Sequence, residues 1–594
     1  MQENPRSSSV LMSTRQKLGQ ASSMLWVLGW AVLMGIAGAL SIWLFHEAMF
    51  LVQHLLTGQS GEISDVMHDL SWWWRLLLPT IGGLVAGILL WLAKRRKSAM
   101  AEDYMEAVTL GDGRLSIRQG LLRTLSSLFT VATGGSIGRE GAMIHLASLV
   151  ASMLGRLLQV GATHLRLLVA CGGAAGVSAA YGTPLAGAVF VAEIVLGTLN
   201  IQSLGPLLVA AAVANLTMRI LGIYQPLYEM PDVQSVVGID IWVFVLLGVL
   251  VGVAAPGFLK LMTLFKDRFA RTGIPLYLRL AVGGLLLGLL LIAIPDVAGN
   301  GYSVVTALLH EPWAWYMVVG MLFAKVLATA LTVGSGAIGG VFTPALFVGA
   351  AFGTLCGQLL LSVVPGLSIP LHLFTLVGMG AFLGAATSAP LMAILMLFEM
   401  TLSYALVLPL IIATVVAYFV ARLLAEVAMY DVVLVREQNE RLRSTLRHTQ
   451  LNELVRPAET VLHDDAKIAD ALQMFLDYPV KYVYVVNANN VFQGVVAQQD
   501  LTRLLLHHSD TDNLCLADVL RPDFVKTLTP SLSLDEAQDY FVNFSGERLP
   551  VVSEEAEPRL LGVVYKSALL EKYTAIKRSL DGAEVTAVFN STKA

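Results

Sequence analysis

Residues 134–142 read Gly-Gly-Ser-Ile-Gly-Arg-Glu-Gly-Ala and set one carboxylate, Glu140, in a glycine-rich break between apolar segments. The hydrocarbon core of a bilayer has no water to solvate backbone or charge. Irregular backbone at that depth survives only where protein buries it or where it lines a cavity. An ionisable residue there costs roughly 2.5–3.5 kcal/mol on insertion scales, which makes it a functional candidate. A helix beginning at Gly138–Gly141 aims free N–H groups and a positive dipole end at whatever lies in front of it. Such a place suits an anion, and a nearby carboxylate competes for it.

Composition puts the stretch in a membrane. The 594 residues are 56% hydrophobic and 14% charged, with a mean hydropathy of +0.69, whereas soluble domains carry about 25% charged residues. Residues 25–45, 241–259 and 280–295 are each apolar enough to enter a core of ~30 Å. No short cleavable leader pattern precedes the first of them. Three cysteines (Cys171, Cys356 and Cys515) argue against a disulfide framework, and none has metal-ligand spacing, so no metal site is expected. Arg15 and Lys17 precede the first span and residues 94–97 (Lys-Arg-Arg-Lys) follow the second, while the intervening loop holds Glu62, Asp65 and Asp69. The positive-inside rule therefore places the N-terminus and residues 94–97 in the cytoplasm. The expected compartment is a bacterial inner membrane, crossed many times, with both termini cytoplasmic.

Many apolar segments are short and interrupted by Gly or Pro. Between Arg166 and Arg219 the only Asp, Glu, Lys or Arg is Glu193, and between Lys325 and Arg422 it is Glu399. The two stretches match: TPLAGAVFVAEI ends at Ile194 and APLMAILMLFEM at Met400, pairing Pro184 with Pro390 and Glu193 with Glu399 at an offset of 206. Upstream, Gly134-Gly135 pairs with Gly339-Gly340 at 205. The expectation is an all-α polytopic fold duplicated over roughly 200 residues as an inverted repeat with broken helices, the ion site lying where half-helices meet. Glu193 and Glu399 follow mirrored Pro-Leu helix starts, so an architectural, hydrogen-bonded role is expected for each.

After residue 435 the composition turns polar. Two similar units follow, each reading helix, short buried strand, strand, helix: 468–496 with Gly494-Val495-Val496, and 534–564 with Gly562-Val563-Val564. The expected domains are a cytoplasmic tail (1–20), a transmembrane domain (21–435), a linker (436–455), two α/β units (456–512 and 513–578) and a flexible tail (579–594).

GSIGREGA (135–142), GSGAIGGVFTP (334–344), PLAGAVFVAE (184–193) and Met-Tyr-Asp around Tyr430 together resemble the CLC family of voltage-gated chloride channels and proton-coupled chloride transporters. The soluble tail resembles a tandem CBS-domain pair. The resemblance implies a homodimer in the lipid bilayer with one chloride pathway per subunit, and no enzymatic role or nucleic-acid partner. It implies that Glu140 gates, that Gly138, Arg139, Glu140, Val341 and Phe342 coordinate the anion, largely through backbone amides, and that the Tyr430 hydroxyl faces the inner end. Elementary physics agrees, because a transported anion needs several donors without a full positive charge that would hold it too tightly.

Three departures shape the expectation. Ala142 stands where the family has proline. The serine of the central site has no clear counterpart in KSAMAEDYMEA (97–107), where Ser98 is a candidate and an ungapped comparison places Met100. Ile194 replaces a second acid typical of the proton-coupled transporters, which favours a chloride-selective channel over a Cl⁻/H⁺ antiporter. A fluoride-selective relative is a third option, raised by Met100 and opposed by Gly340–Pro344 and Tyr430. Other readings are structural: Glu140 paired with Arg139 or Arg123, Tyr430 in an interfacial belt, His145 packed. No nucleophile elbow accompanies the acids, which argues against an intramembrane enzyme. In the CBS pair, the hydroxyl-and-carboxylate signature for adenine nucleotide is reduced to Gly494…Ala497…Asp500 in the first unit and lost in the second. A dimerising or gating scaffold is therefore expected over a nucleotide site, with no required cofactor.

Overall fold

The computed structural model describes residues 5–95, 100–109, 111–222, 228, 241–364, 366–367, 369–425, 429–430, 442, 444–507, 516–542 and 544–591; the side chains of 5–24, 507, 518 and 579–591 fall outside the description. The chain divides into two units, Met1–Leu434 and Val435–Ala594.

The first unit is helical. In chain order its described helices are α1 (Pro5–Thr57), α2 (Ile63–Asp69), α3 (Trp72–Lys94), α4 (Tyr104–Thr109), α5 (Ile117–Ala132), α6 (Glu140–Leu157), α7 (Ala162–Tyr181), α8 (Pro184–Phe190), α9 (Ile201–Ile220), α10 (Trp242–Arg271), α11 (Leu276–Ala293), α12 (Tyr302–His310), α13 (Trp315–Gly334), α14 (Phe342–Val363), α15 (Leu371–Thr387), α16 (Pro390–Thr401) and α17 (Val407–Leu424). Among the described residues, eight helices are long and apolar enough to cross a membrane, and shorter apolar helices over Pro184–Leu196, Leu371–Thr387 and Pro390–Thr401 lie between them. This is a multi-pass membrane protein with broken helices, as the interrupted sequence predicts.

The duplication is visible in the backbone. α7 ends on left-handed Gly182 and α15 on left-handed Ser388; each turn runs into a helix whose first residue is proline, Pro184 or Pro390, where the missing N–H costs nothing. The two short helices then cap each other. Glu399, near the end of α16, accepts the N–H groups of Leu185 and Ala186 at the start of α8 (2.9 and 2.8 Å). Glu193, in a widened turn over Val191–Leu196 that continues α8, accepts those of Leu391 and Met392 at the start of α16 (3.3 and 2.8 Å). Both carboxylates are thus hydrogen-bonded to helix N-termini, where negative charge is favoured. Reciprocal capping requires the two helices to run in opposite senses, which is the inverted relation.

The glycine-rich breaks correct the sequence register. Left-handed Gly134 (φ 96°) corresponds to left-handed Gly336 (φ 100°), and the helix starts Glu140 and Phe342 correspond in the same way. These matches, 134 with 336 and 140 with 342, lie 202 residues apart, so the pairing of Gly134-Gly135 with Gly339-Gly340 is wrong. Repeated glycines made the shifted match look natural, whereas turn conformation fixes the true one.

The second unit holds two small sheets. β1 (Val461–His463) pairs parallel to β2 (Tyr482–Val486), which pairs antiparallel to β3 (Phe492–Ala497). β4 (Arg548–Val552) pairs antiparallel to β5 (Leu560–Tyr565). Helices α18 (Ile468–Asp477), α19 (Gln498–His507), α20 (Leu534–Val542) and α21 (Lys566–Ser591) accompany them. Val485 pairs with Gly494 and Val551 with Gly562, and both hairpins shift register at the next residue, so the two α/β units repeat down to their irregularity.

Candidate functional site

The two glycine-rich breaks clasp each other. Gly138 N–H donates to Gly340 O (2.7 Å) and Gly340 N–H to Gly138 O (2.9 Å). The clasp demands glycine: a Cβ on Gly138 would run into Glu140 Oε2, and one on Gly141 would come within 2.9 Å of the Gly340 nitrogen. It brings the N-termini of α6 and α14 together from opposite halves of the sequence, and with them two partial positive charges of about half a unit each.

Two cavities meet this clasp. One, of about 530 Å³, is lined by His46, Gln53, Glu62, Arg139, Asn300 and Tyr302 among others. The other, of about 400 Å³, is lined by Glu140, Gly340, Val341, Phe342 and Tyr430 among others. Glu140 is buried, at 2% exposure. Its Oε1 accepts from Asn300 Nδ2 (3.1 Å) and Tyr302 Oη (2.9 Å), two groups of the Arg139 cavity. Its Oε2 has no hydrogen-bond partner. The carboxylate therefore stands between the cavities, tied on one side and untied on the other.

The turn that ties it is itself held. Lys325, fully buried in α13, donates from Nζ to Val297 O (3.1 Å) and Gly299 O (2.7 Å), and sits over the Phe347 ring at 5.2 Å. Glu62 accepts the Ser303 N–H (3.1 Å) in the first turn of α12. Asn300, Tyr302 and Lys325 escaped the motif reading. The signals were a Gly-Asn-Gly break at 299–301 and a lone lysine inside an apolar span.

Of the expected site residues, Glu140, Val341, Phe342 and Tyr430 share the second cavity. Tyr430 lies edge-to-face on Phe190 (5.9 Å), and Phe190 on Phe342 (6.4 Å). Gly138 lies in the clasp. The Arg139 side chain points elsewhere, into the first cavity, with its guanidinium over the Tyr302 ring at 5.7 Å. Glu140 pairs with neither arginine considered for it: Arg123 meets Glu102 at 3.2 Å and Asp103 at 4.0 Å. Ser98 lies outside the described residues. Met100 sulfur accepts from Arg156 Nη1 at 3.8 Å and does not line the cavity; Asp103, Tyr104 and Met105 at the start of α4 do. Ile194 is buried in the apolar core.

In the second unit, Asp500 is engaged by Arg521 at 2.5 Å. One oxygen of the carboxylate that would meet a ribose is thus held in an ion pair, Oδ2 is left without a partner, and Ala497 stands where a hydroxyl would be needed.

Solved structures share the fold. A slow cyanobacterial Cl⁻/H⁺ antiporter superposes with a TM-score of 0.60 at 24% identity, covering 69% of this chain and 97% of its own. A eukaryotic CLC transporter does so at 0.60 and 17%, covering 92% and 98%. Nearer in sequence are a Ralstonia nicotianae protein whose name likens it to the ClcB chloride channels, 48% identical over 371 residues (61% of this chain, 85% of that one), and the voltage-gated ClC-type chloride channel ClcB of Salmonella typhimurium, 40% identical over 366 residues (61% and 87%). Residues 451–507 and 516–575 match the CBS domain. Residues 81–422, more than half of the chain, match the voltage gated chloride channel family, and with the clasp, the paired cavities and the inverted repeat this chain belongs to that CLC family of chloride channels and transporters.

Proposed function

We propose that this chain is a chloride-selective channel gated by the Glu140 carboxylate. One observation carries the reading: a buried carboxylate separates two cavities, held from one side and unpartnered on the other. As an anion it occupies the position that a passing chloride needs, between the N-termini of α6 and α14. Displaced or protonated, it yields that position. The amides of Val341 and Phe342 then serve chloride as donors of fractional charge, strong enough to bind and weak enough to release. Tyr430 and Phe342 frame the approach from the second cavity, and Arg139 biases the first toward anions.

Passive conduction is favoured over Cl⁻/H⁺ antiport by Ile194, which carries no proton at the position where the resemblance expects a second acid. The assembly proposed is a homodimer with one pathway per protomer, in a bacterial inner membrane with both termini in the cytoplasm. The CBS pair serves as a scaffold, because Ala497 stands where a hydroxyl would be needed in the first unit and both signature residues are lost in the second. Purified protein in liposomes under a chloride gradient tests the reading. A channel lets chloride run down its gradient without moving protons uphill. Uphill proton movement in fixed ratio to chloride would replace the channel with an antiporter.

A further inference from the structure

Residues 295–303 carry both groups that tie Glu140, Asn300 and Tyr302, and one short element fastens them at both ends. At one end His68 Nε2, on α2, bonds to Asp296 Oδ1 (2.8 Å). At the other, the hydroxyls of Ser64 on α2 and Ser303 hydrogen-bond at 3.0 Å, and Glu62, the residue before α2, accepts the Ser303 N–H at 3.1 Å. Between these ends Val66 and Met67 share a buried apolar cluster with Val297 and Ala298. A Cβ on Gly299 would run into Ile63, so glycine lets the two segments close on each other. α2 is a strap across the segment that ties the carboxylate.

Two of the fastenings titrate. The His68–Asp296 pair stands in solvent, with side chains 50% and 34% exposed, where such pairs contribute little. Glu62 is half-buried, lines the Arg139 cavity and follows exposed residues 58–61, so protons of that face reach it. Ser303 is the second residue of α12, and its N–H is one of those with no acceptor inside the helix. A carboxylate there also meets the positive end of the helix dipole. The charged and titratable groups around Glu62 and its cavity are Asp65 on α2, Arg139 and Glu140 at the start of α6, His46 on α1, Tyr302 on α12, Lys325 on α13, and Tyr228. Burial holds the Glu62 carboxyl above the ordinary carboxylate value; the Ser303 bond and Arg139 pull against that, and Asp65 adds to it.

We infer that Glu62 is a proton-responsive positioning residue of the gate, which fastens α12 and keeps Tyr302 on Glu140 when ionised and loosens both when protonated. In the step proposed, a hydronium from the solution on that face gives its proton to the Glu62 carboxylate and becomes water. The carboxylate becomes a carboxylic acid. Its bond from the Ser303 N–H changes from a charge-assisted one to a neutral one of roughly half the strength, and its attraction to the helix dipole is lost. The start of α12 loosens, Tyr302 holds Glu140 less firmly, and the carboxylate leaves its position more readily. Acid on this face thus opens the pathway in two ways, by neutralising Glu140 and by slackening what ties it. The inference rests on Glu140 being the gate, because Glu62 acts on it through Tyr302.

The test uses the full-length chain in oriented membranes, with pH stepped on the Arg139 face and chloride flux recorded. Wild-type flux is expected to rise with acid more steeply than a single titration allows, because two linked carboxyls contribute. E62Q, which keeps an acceptor oxygen but does not titrate, is expected to follow a single titration, with flux at alkaline pH about threefold above wild type. A cap with no proton role would move the midpoint and keep the steepness, so an E62Q response as steep as wild type overturns the inference. If E62Q is not folded by size exclusion, S64A decides. It keeps Glu62, removes the hydroxyl bond to Ser303, and is expected to raise flux at neutral pH about threefold; unchanged flux there overturns the strap and the inference with it. E140A separates the two readings. A flat pH response in E140A leaves Glu140 the gate whatever E62Q does, and a retained response removes the gate and the inference together.

Discussion

The Tyr302 hydroxyl donates to Glu140 Oε1 at 2.9 Å, from the first residue of α12, which lines the Arg139 cavity. Hydrogen bonds to charged groups contribute about 1.5–3 kcal/mol, so under the proposed gating this contact favours the blocking position. Tyr302→Phe removes the donor and keeps the ring that Arg139 covers. Chloride flux at neutral pH is expected to rise about tenfold, since ~1.4 kcal/mol is a factor of ten. Potassium-ionophore-linked chloride efflux from liposomes measures it. An unchanged rate would mean that the carboxylate does not leave Tyr302 during conduction.

Under the proposed gating, Glu140 itself sets the pH response. A carboxylate that blocks as an anion is neutralised as pH falls, so wild-type flux should rise with acidification. Glu140→Gln carries no titrating proton and Glu140→Ala no blocking group. Both should show flux nearly flat with pH and voltage, with conduction intact. A wild-type slope retained in either variant demotes Glu140 to a structural residue.

That Glu140, Val341, Phe342 and Tyr430 come to one cavity was foreshadowed by the short motifs that carry them, three of the four at helix starts. Asn300, Tyr302 and Lys325 were not, because they act on Glu140 and on each other's turn across 26 to 162 residues of sequence. The duplication was legible from Pro184/Pro390 and Glu193/Glu399, which the folded chain makes into mutual caps. Its upstream register was not, since glycine marks a turn without saying which glycine of a run takes the left-handed conformation. The direction of the Arg139 side chain was not legible either: at a helix start, adjacent residues face different sides, and here those sides are different cavities.

Lys325→Met should unfasten the turn beneath Tyr302. Nζ satisfies the carbonyls of Val297 and Gly299, and methionine leaves both without that donor. The cost is about 1–3 kcal/mol per unsatisfied buried group, read as a lower melting temperature of the detergent-purified protein. The looser turn should also shift flux in the same direction as Tyr302→Phe. The double variant should fall short of additivity, as residues in one network do. Full additivity would separate Lys325 from the gate.

In the second unit Ser533 and Glu536 form a capping box at the start of α20: Glu536 Oε2 accepts from Ser533 N (3.0 Å) and Ser533 Oγ (2.8 Å), and Glu536 N–H donates to Ser533 Oγ (3.2 Å). The Ser533 backbone and hydroxyl bonds hold the Glu536 carboxyl below the ordinary carboxylate value. A depressed acid stabilises the folded state above its unfolded pKa of about 4.3 and loses that contribution as pH falls through the folded value. Amide protection in α20 of the full chain should therefore drop on acidification below about pH 4.5, with Glu536→Gln starting lower and varying less. Equal acid sensitivity in both would place the loss elsewhere.

Glu193 and Glu399 should behave as a matched pair. Each spans two N–H groups at the start of the other's helix, and each helix begins with proline, so their surroundings differ little. Alanine at either position uncaps one helix at a cost of about 1–2 kcal/mol. Glu193→Ala and Glu399→Ala should lower the melting temperature of the purified protein by similar amounts, and glutamine, which keeps one acceptor oxygen, by less. Chloride selectivity and the pH response of flux should be unchanged in all of them. A Glu193→Ala variant that melts like wild type but loses pH response would make Glu193 a proton carrier instead of a cap, and would supply the antiport reading with the acid that Ile194 denies it.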